Sequence, residues 1–252
     1  MTSWSVEHRM TVRRWGAGPE LVWIHGLGES SVSFDPIARH PALAGFTHVL
    51  PDLPGYGRSP WPHAPVRLGA LSTRLAVWLA ERPRALVIGH SMGGVLATLL
   101  AERDAVRALV NVDGNISHGD CNFSGVAAAY TLEDFRSHGF ATMRDDVYRD
   151  GLEKPALRGY HAAMCNASPD VFYGHACDLV AMSEREDLAP RFAALTVPRL
   201  YIAGVPDGIC ACSRELLAAN DARWIGIEPA GHWVYLDQVD AFAAAVAAFA
   251  QS

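Results

Sequence analysis

The chain has 252 residues, of which 50% are hydrophobic and 19% are charged, and its formal net charge is −6. This composition is typical of a globular protein with a large core, built as one domain or as a core with an insertion. The negative charge and the lack of a basic cluster exclude a typical nucleic-acid-binding protein. No apolar run reaches the ~20 residues that span a bilayer.

The N-terminus and the cysteines indicate the cellular compartment. The first ten residues, "MTSWSVEHRM", lack the basic start and the apolar stretch of a secretory signal. The five cysteines are an odd number and do not form the pattern of a disulfide framework. Cys210 and Cys212 have no second cysteine pair and no His-x-x-x-His helix to complete a zinc site. We therefore expect a cytoplasmic protein that holds no metal.

Short apolar runs alternate with amphipathic segments along most of the chain. Residues 4–14 and the turn "WGAGPE" predict a first hairpin. Continuous apolar runs predict buried strands at 21–26, 47–55, 85–88, 106–114, 198–204 and 222–228. Helical spacing predicts helices at 67–83, which Pro83 stops, at 91–104 and at about 235–250. This alternation predicts an α/β protein with a mostly parallel central sheet and helices on both of its faces.

Residues 115–192 interrupt the alternation because they carry no convincing buried strand. They contain helix-like segments at 131–152 and 169–187. An excursion of nearly eighty residues is too long for an ordinary connection. We therefore predict a helical cap, or lid, at 115–192 over the C-terminal edge of the sheet, with a core domain at 1–114 and 193–252. The alternative is a packing appendage with no role in substrate binding.

The stretch "VIGHSMGGV" at 87–95 joins a predicted strand to a predicted helix. Within it, Gly89 to Gly93 fit G-x-S-x-G, a motif that places its serine on a sharp strand-to-helix turn with the hydroxyl exposed. The same residues would also fit a tight turn in which the serine only caps the N-terminus of the helix. The predicted strand before the motif and the predicted helix after it favour the catalytic interpretation. Ser91 is therefore the candidate nucleophile.

A serine hydroxyl needs a general base to act as a nucleophile at neutral pH, and the base is normally a histidine held by a carboxylate. The segment "EPAGHWVYLDQ" places His232 just after the last predicted strand and before the final helix. That position lies at the same edge of the sheet as Ser91. We therefore predict that His232 is the base.

At this point the sequence resembles the α/β-hydrolase family over nearly its whole length. Five short matches occur in the family order, namely "HGLG" (25–28), "DLPGYGRS" (52–59), "GHSMGG" (89–94), "AGVPDG" (203–208) and "AGHW" (230–233). The resemblance implies an α/β-hydrolase fold and a Ser-acid-His triad, and we expect no cofactor. It also implies an oxyanion hole formed by the backbone N–H groups of Leu27 and Met92.

Two aspartates are candidates for the acid of the triad. Asp207 follows the strand "PRLYIAG" and precedes His232, as in the commoner family arrangement, so we prefer it. Asp113 ends the strand "VRALVNVDG", where some capped members carry their acid. Either carboxylate could orient His232 through its Nδ1–H.

The predicted reaction is hydrolysis of a small ester, lactone or thioester through an acyl-enzyme on Ser91. Two alternatives remain open, a C–C bond hydrolase or acyltransferase with the same triad, and a ligand sensor with slow turnover. The segment that leaves the sheet beside Asp113 contains His118, Cys121, Asn122 and Phe123, which could line the pocket of the small-molecule substrate. Equally, these residues could cap the first helix of the lid.

Overall fold

The computed structural model describes residues 2–64, 66–82 and 85–251. An eight-stranded sheet runs through it in the order β1-β2-β4-β3-β5-β6-β7-β8. The strands are β1 Ser3–Glu7, β2 Met10–Gly16, β3 Glu20–Ile24, β4 Thr47–Pro51, β5 Leu86–His90, β6 Ala108–Val112, β7 Arg199–Asp207 and β8 Trp224–Gly231. Strand β2 is antiparallel to β1 and to β4, whereas the other neighbouring strands pair in parallel. The predicted α/β class, the first hairpin and the mostly parallel sheet are therefore confirmed.

Twelve α-helical segments accompany the sheet in the described part of the chain. They are α1 Asp35–Ala38, α2 Leu68–Leu79, α3 Met92–Ala101, α4 Asn122–Ala128, α5 Leu132–Asp134, α6 Phe140–Asp150, α7 Pro155–Met164, α8 Pro169–Ser183, α9 Leu188–Ala193, α10 Ala211–Ala219, α11 Val234–Asp237 and α12 Val239–Gln251. Short 3₁₀ turns lie at Ser31–Phe34, Pro41–Leu43 and His118–Asp120, and a π turn at Phe135–Gly139 joins α5 to α6. Helices α4 to α9 follow β6 and precede β7, where the sequence predicted helices and no strand.

The centre of the sheet forms the core of the molecule. Every residue of β4, β5 and β6 is buried, which explains why these strands are continuous apolar runs rather than alternating ones. Helix α3 is buried along all of its length, and a helix that is apolar all round requires such a position. Helix α2 ends at Leu79, and Pro83, which was predicted to stop it, lies outside the described residues.

The last two strands are longer than their apolar runs. Strand β7 continues to Asp207 and β8 to Gly231, and these two residues are partners in the register. Because β8 extends this far, His232 follows the sheet directly, at the same edge at which β3, β5 and β6 end. Within the described residues, no helix is long and apolar enough to cross a membrane.

Candidate active site

Ser91 occupies the sharp turn between β5 and α3. Its backbone has φ 52° and ψ −118°, a conformation that is uncommon for a residue with a side chain and is found at functional sites. The Ser91 N–H donates a 2.8 Å hydrogen bond to the carbonyl of Val112 at the end of β6, so the neighbouring strand holds the turn. The buried strand and helix on either side therefore maintain a strained serine at the sheet edge.

The two glycines of the motif are required by close packing. A Cβ on Gly89 would overlap the carbonyl of Gly93, and a Cβ on Gly93 would overlap the carbonyl of Ile24 at the end of β3. The loop after β3 also reaches Ser91, because a Cβ on Gly26 would lie 3.1 Å from the Cβ of Ser91. The serine turn and the glycine loop are therefore in direct contact.

A small cavity of about 60 Å³ opens between this turn, the loop after β3 and helices α4 and α7. Of the residues predicted for the site, it is lined by Ser91, His232, Leu27, Asn122 and Phe123. The nucleophile candidate, the base candidate and one predicted oxyanion donor thus face one cavity. Met92, the other predicted donor, begins α3 next to Ser91, where the positive end of the helix dipole favours a negative charge.

Two of the predicted substrate-contacting residues lie elsewhere. His118 is exposed, with its Nδ1 3.9 Å from an oxygen of Glu184, and it does not line the cavity. Cys121 is buried and accepts a 3.5 Å hydrogen bond from the side chain of Asn115. The chain turns into α4 between these positions and Asn122, so that only the start of the helix meets the cavity.

His232 is half-buried and lies against a second histidine. Its ring centroid is 4.7 Å from that of His90, and its backbone carbonyl is 2.8 Å from Nε2 of His90. Burial, together with the charge of His90, lowers the pKa of His232 to about 3, although Glu29 acts in the opposite direction. An imidazole in this position is neutral near pH 7, which is the form that a general base requires.

Asp113 is a buried carboxylate at the end of β6. It is 1% exposed and accepts hydrogen bonds from the N–H of Gly204 at 3.1 and 3.2 Å. Gly204 also lies against Gly231, because a Cβ at Gly204 would overlap the Gly231 carbonyl and would be 3.2 Å from Oδ2 of Asp113. Asp113 therefore approaches the residue before His232. Burial raises the pKa of its carboxyl well above the usual value, so a positively charged neighbour would favour its ionised form.

Asp207, the preferred acid of the sequence, is exposed at the end of β7. Its backbone pairs with Gly231, so it too lies close to His232 along the sheet. The two aspartates therefore differ mainly in burial. No side-chain hydrogen bond joins either of them to His232 within the described residues, and catalytic hydrogen bonds commonly tighten only when substrate is bound.

A buried carboxylate that sequence reasoning missed connects the parts of the site. Glu29 is 2% exposed, and its Oε2 accepts hydrogen bonds from the Gly26 N–H at 2.7 Å and from His90 Nδ1 at 3.0 Å. Its Oε1 accepts from Trp233 Nε1 at 2.6 Å and from the Tyr235 hydroxyl at 3.2 Å. Burial alone would raise the pKa of Glu29, but the charge of His90 and these hydrogen bonds lower it to about 2.

The same contacts fix the position of the His90 ring. Its Nδ1 faces the Glu29 carboxylate and its Nε2 faces the carbonyl of His232, and both partners only accept. Each ring nitrogen of His90 therefore lies against an acceptor, and the ring is held between Glu29 and the segment that bears His232. The sequence signal that could have revealed the pair is an acidic residue directly after "HGLG" together with the histidine before Ser91.

Comparisons with known proteins place these features in a family context. The model of a family described as the alpha/beta hydrolase family matches residues 21–245. A protein of Mycobacterium tuberculosis described as uncharacterized is 34% identical over 97 residues, which are 37% of this chain and 28% of that protein. The pimeloyl-[acyl-carrier protein] methyl ester esterase of Edwardsiella ictaluri is 30% identical over 258 residues, covering 93% of this chain and 95% of the esterase.

Solved structures with a similar fold cover the whole chain. A hydrolase from Pseudomonas aeruginosa PA01 has a TM-score of 0.77 and 25% sequence identity, covering 100% of this chain and 98% of the other. The enol-lactonase from Burkholderia xenovorans LB400 has a TM-score of 0.79 and 21% identity, covering 99% of this chain and 100% of the lactonase. At this identity the second likeness establishes the fold alone.

Proposed function

Since the chain belongs to the alpha/beta hydrolase family, we propose that it is a serine hydrolase that cleaves a small ester, lactone or thioester through an acyl-enzyme on Ser91. The observation that carries the proposal is the strained Ser91, held at φ 52° on the turn after β5 and facing the same cavity as His232. A serine held in such a conformation at the mouth of a cavity has its hydroxyl available for attack.

In the proposed first step, Ser91 Oγ attacks the carbonyl carbon of the substrate while His232 removes the hydroxyl proton. The carbonyl oxygen becomes an oxyanion, which would accept hydrogen bonds from the backbone N–H groups of Leu27 and Met92. Each such donor is worth about 3–4 kcal/mol of transition-state stabilisation. Collapse of the intermediate breaks the bond to the leaving group, which takes the proton from His232 and departs.

The second step regenerates the enzyme. A water molecule gives a proton to His232 and attacks the carbonyl carbon of the acyl-enzyme. The resulting intermediate releases the carboxylic acid and returns the proton from His232 to Ser91 Oγ. The neutral state of His232, favoured by the lowered pKa, allows it to act as the base in both steps.

We propose Asp113 as the acid that orients His232, although the sequence favoured Asp207. Burial supports this choice, since Asp113 is 1% exposed whereas Asp207 is exposed to solvent. A carboxylate shielded from water stabilises the imidazolium that forms during attack more strongly than an exposed one. The shared packing of Gly204 against Asp113 and Gly231 places this carboxylate beside the segment that bears His232.

We further propose that residues 115–192 act as a cap. Helix α4 supplies Asn122 and Phe123 to the cavity and α7 supplies Tyr160, so this insertion forms the wall opposite the serine turn. The name of one similar protein, a methyl ester esterase, supports an ester as the substrate.

The test combines active-site labelling with an ester panel. We expect wild-type protein to hydrolyse p-nitrophenyl esters and a fluorophosphonate to label Ser91 alone. Ser91→Ala should lose at least ~10³-fold in kcat and all labelling, with an unchanged fold. Ser137→Ala, which alters an exposed serine of the π turn, is the matched control and should retain full activity.

Substantial turnover by pure Ser91→Ala would contradict the proposal, as would labelling at another serine. Hydrolysis too slow to measure, together with stabilisation by a bound ligand, would instead indicate a sensor.

A further inference from the structure

A second, larger cavity adjoins the candidate active site. It has a volume of about 480 Å³ and lies between helix α7 and the 3₁₀ turn Ser31–Phe34. Two side chains, Tyr160 and Trp233, line both this chamber and the small cavity that contains Ser91. These two rings, whose centroids are 5.4 Å apart, therefore form the partition between the two spaces.

The two halves of the partition are held differently. Trp233 is fixed, because its indole N–H donates a 2.6 Å hydrogen bond to the buried Glu29 carboxylate. Tyr160 is 3% exposed, yet its hydroxyl has no hydrogen-bond partner among the residues that the structure describes. A buried hydroxyl without a partner is unfavourable. Because the hydroxyl of Tyr160 has none, no hydrogen bond holds its ring in place. The half of the partition that no hydrogen bond holds thus comes from residues 115–192.

The lining of the outer chamber indicates what it would hold. Apolar side chains form much of it, from both the core and helix α7, namely Val32, Pro36, Ala156, Ala163 and Leu236. Polar groups such as Arg58 and Asp52 also border it. A largely apolar chamber next to a reacting centre suits a saturated hydrocarbon chain better than a charged or strongly hydrated group.

We propose that Tyr160 determines the acyl length that the enzyme accepts, by closing the inner cavity against the outer chamber. The inference rests on the proposed serine-hydrolase function. With the ring in place, about 60 Å³ is available beside Ser91, so short acyl groups such as acetyl are the substrates. With the ring removed, the two spaces join, and a medium-length acyl chain can extend from Ser91 into the apolar chamber.

The test compares acyl lengths in variants of Tyr160. We would measure kcat/KM for p-nitrophenyl acetate, butyrate and octanoate in wild type, Tyr160→Ala, Tyr160→Leu and Tyr160→Phe. Each methylene moved from water into an apolar site is worth about fourfold in kcat/KM. We therefore expect the octanoate-to-acetate ratio to rise at least ~10-fold in Tyr160→Ala, with a smaller rise in Tyr160→Leu.

Two controls isolate the effect of the ring. Tyr160→Phe retains the ring, so its ratio should remain within about twofold of wild type. Tyr148→Ala removes an exposed tyrosine of helix α6 and should leave the ratio unchanged. A ratio within twofold of wild type in both Tyr160→Ala and Tyr160→Leu would overturn the proposal, and Tyr160→Leu decides the matter if Tyr160→Ala does not fold.

A binding measurement separates this inference from the proposed function. If wild type hydrolyses no ester, the serine-hydrolase proposal fails, but calorimetric titration with octanoate still tests the partition. Octanoate bound at least ~10-fold more tightly by Tyr160→Ala than by wild type supports the partition, because the chamber has become accessible from the inner cavity. Equal binding by the two proteins overturns it.

Discussion

Glu29 and His90 form a buried ion pair beside the candidate nucleophile, with 3.0 Å between Oε2 and Nδ1 and side chains that are 2% and 1% exposed. The pair joins three segments that are distant in the sequence. Glu29 accepts the N–H of Gly26 in the loop that carries the predicted oxyanion donor Leu27, and His90 contacts the backbone of His232. The positions of the loop that carries Leu27, of the Ser91 turn and of the candidate base His232 therefore depend on one carboxylate.

Replacing Glu29 by glutamine should destabilise the protein and reduce its activity. The glutamine amide carries no charge that could pair with His90. Its NH₂ group would also face hydrogen-bond donors, because every contact of the Glu29 carboxylate is with a donor. Removing one partner of a buried pair costs about 3–5 kcal/mol. We expect a loss of that size in the free energy of unfolding, measured by urea denaturation at pH 7, and a fall in kcat as the Gly26 loop shifts.

The matched control is Glu81→Gln, which breaks the pairing of an exposed glutamate with His8 at 2.9 Å. An exposed pair contributes about 0–1 kcal/mol, so this variant should resemble wild type.

The pKa of Glu29 is about 2 in the fold against an ordinary 4.5. The contribution of Glu29 to the free energy of unfolding is present above pH 4.5 and is lost as the pH falls through 2. The difference in this free energy between wild type and Glu29→Gln should therefore become smaller on acidification. A gap that widens on acidification would contradict this assignment.

Asparagine at the two candidate acids should have very different effects. Asp113→Asn should lower kcat by about 10⁴, since the amide neither stabilises the imidazolium nor fixes the tautomer of His232. Asp207→Asn should retain at least a tenth of the activity, because the side chain is exposed. Steady-state kinetics on p-nitrophenyl acetate decide the matter, and the reverse ranking would return the role to Asp207.

The acid limb of the pH profile should lie below pH 6.5. Burial and the charge of His90 lower the pKa of His232 from its ordinary 6.5, so the neutral base persists to lower pH than in a free histidine. Activity falls only when the pH drops through this lowered pKa. A profile of kcat/KM from pH 3 to 8 measures it, and a limb centred at or above pH 6.5 would refute the assignment.

The variant His90→Gln provides the directional check on that profile. It removes the positive charge that lowers the pKa of His232 and leaves Glu29, whose charge raises it. The acid limb should therefore move to higher pH. A limb that stayed in place or moved to lower pH would contradict the effect of His90 on the pKa of His232.

Alanine at Gly93 should disrupt the serine turn. Its Cβ would overlap the carbonyl of Ile24 and would be 2.9 Å from the carbonyl of His25, so α3 must move away from β3. Overpacking of this kind costs about 1–3 kcal/mol, and the displaced turn should lower kcat strongly. Gly69→Ala in α2 is the control, because a Cβ there has nothing within 4 Å, and it should stabilise the helix by up to about 1 kcal/mol. Full activity in Gly93→Ala would show that the turn tolerates the shift.

The sequence alone determined the sheet, the serine turn and the approximate position of the candidate base His232. Each of these is a local signal. The apolar runs of β5 and β6 mark strands buried on both faces, and the glycines around Ser91 mark a turn where a Cβ cannot fit. The helices between β6 and β7 were likewise predicted from the absence of such runs. Local patterns of this kind are visible wherever burial or backbone geometry dictates residue type.

Only the tertiary structure decided what depends on the environment of a side chain. Asp113 directly follows β6 and is buried, with Gly204 and Gly208 of the β7 segment close to its carboxylate, whereas Asp207 ends β7 and is exposed. In the sequence, Glu29 looks like an ordinary polar loop residue. In the fold, His90, Trp233 and Tyr235 contact its two carboxylate oxygens. Trp233 and Tyr235 lie 204 and 206 residues from Glu29, and the sequence around Glu29 does not indicate hydrogen bonds over such separations.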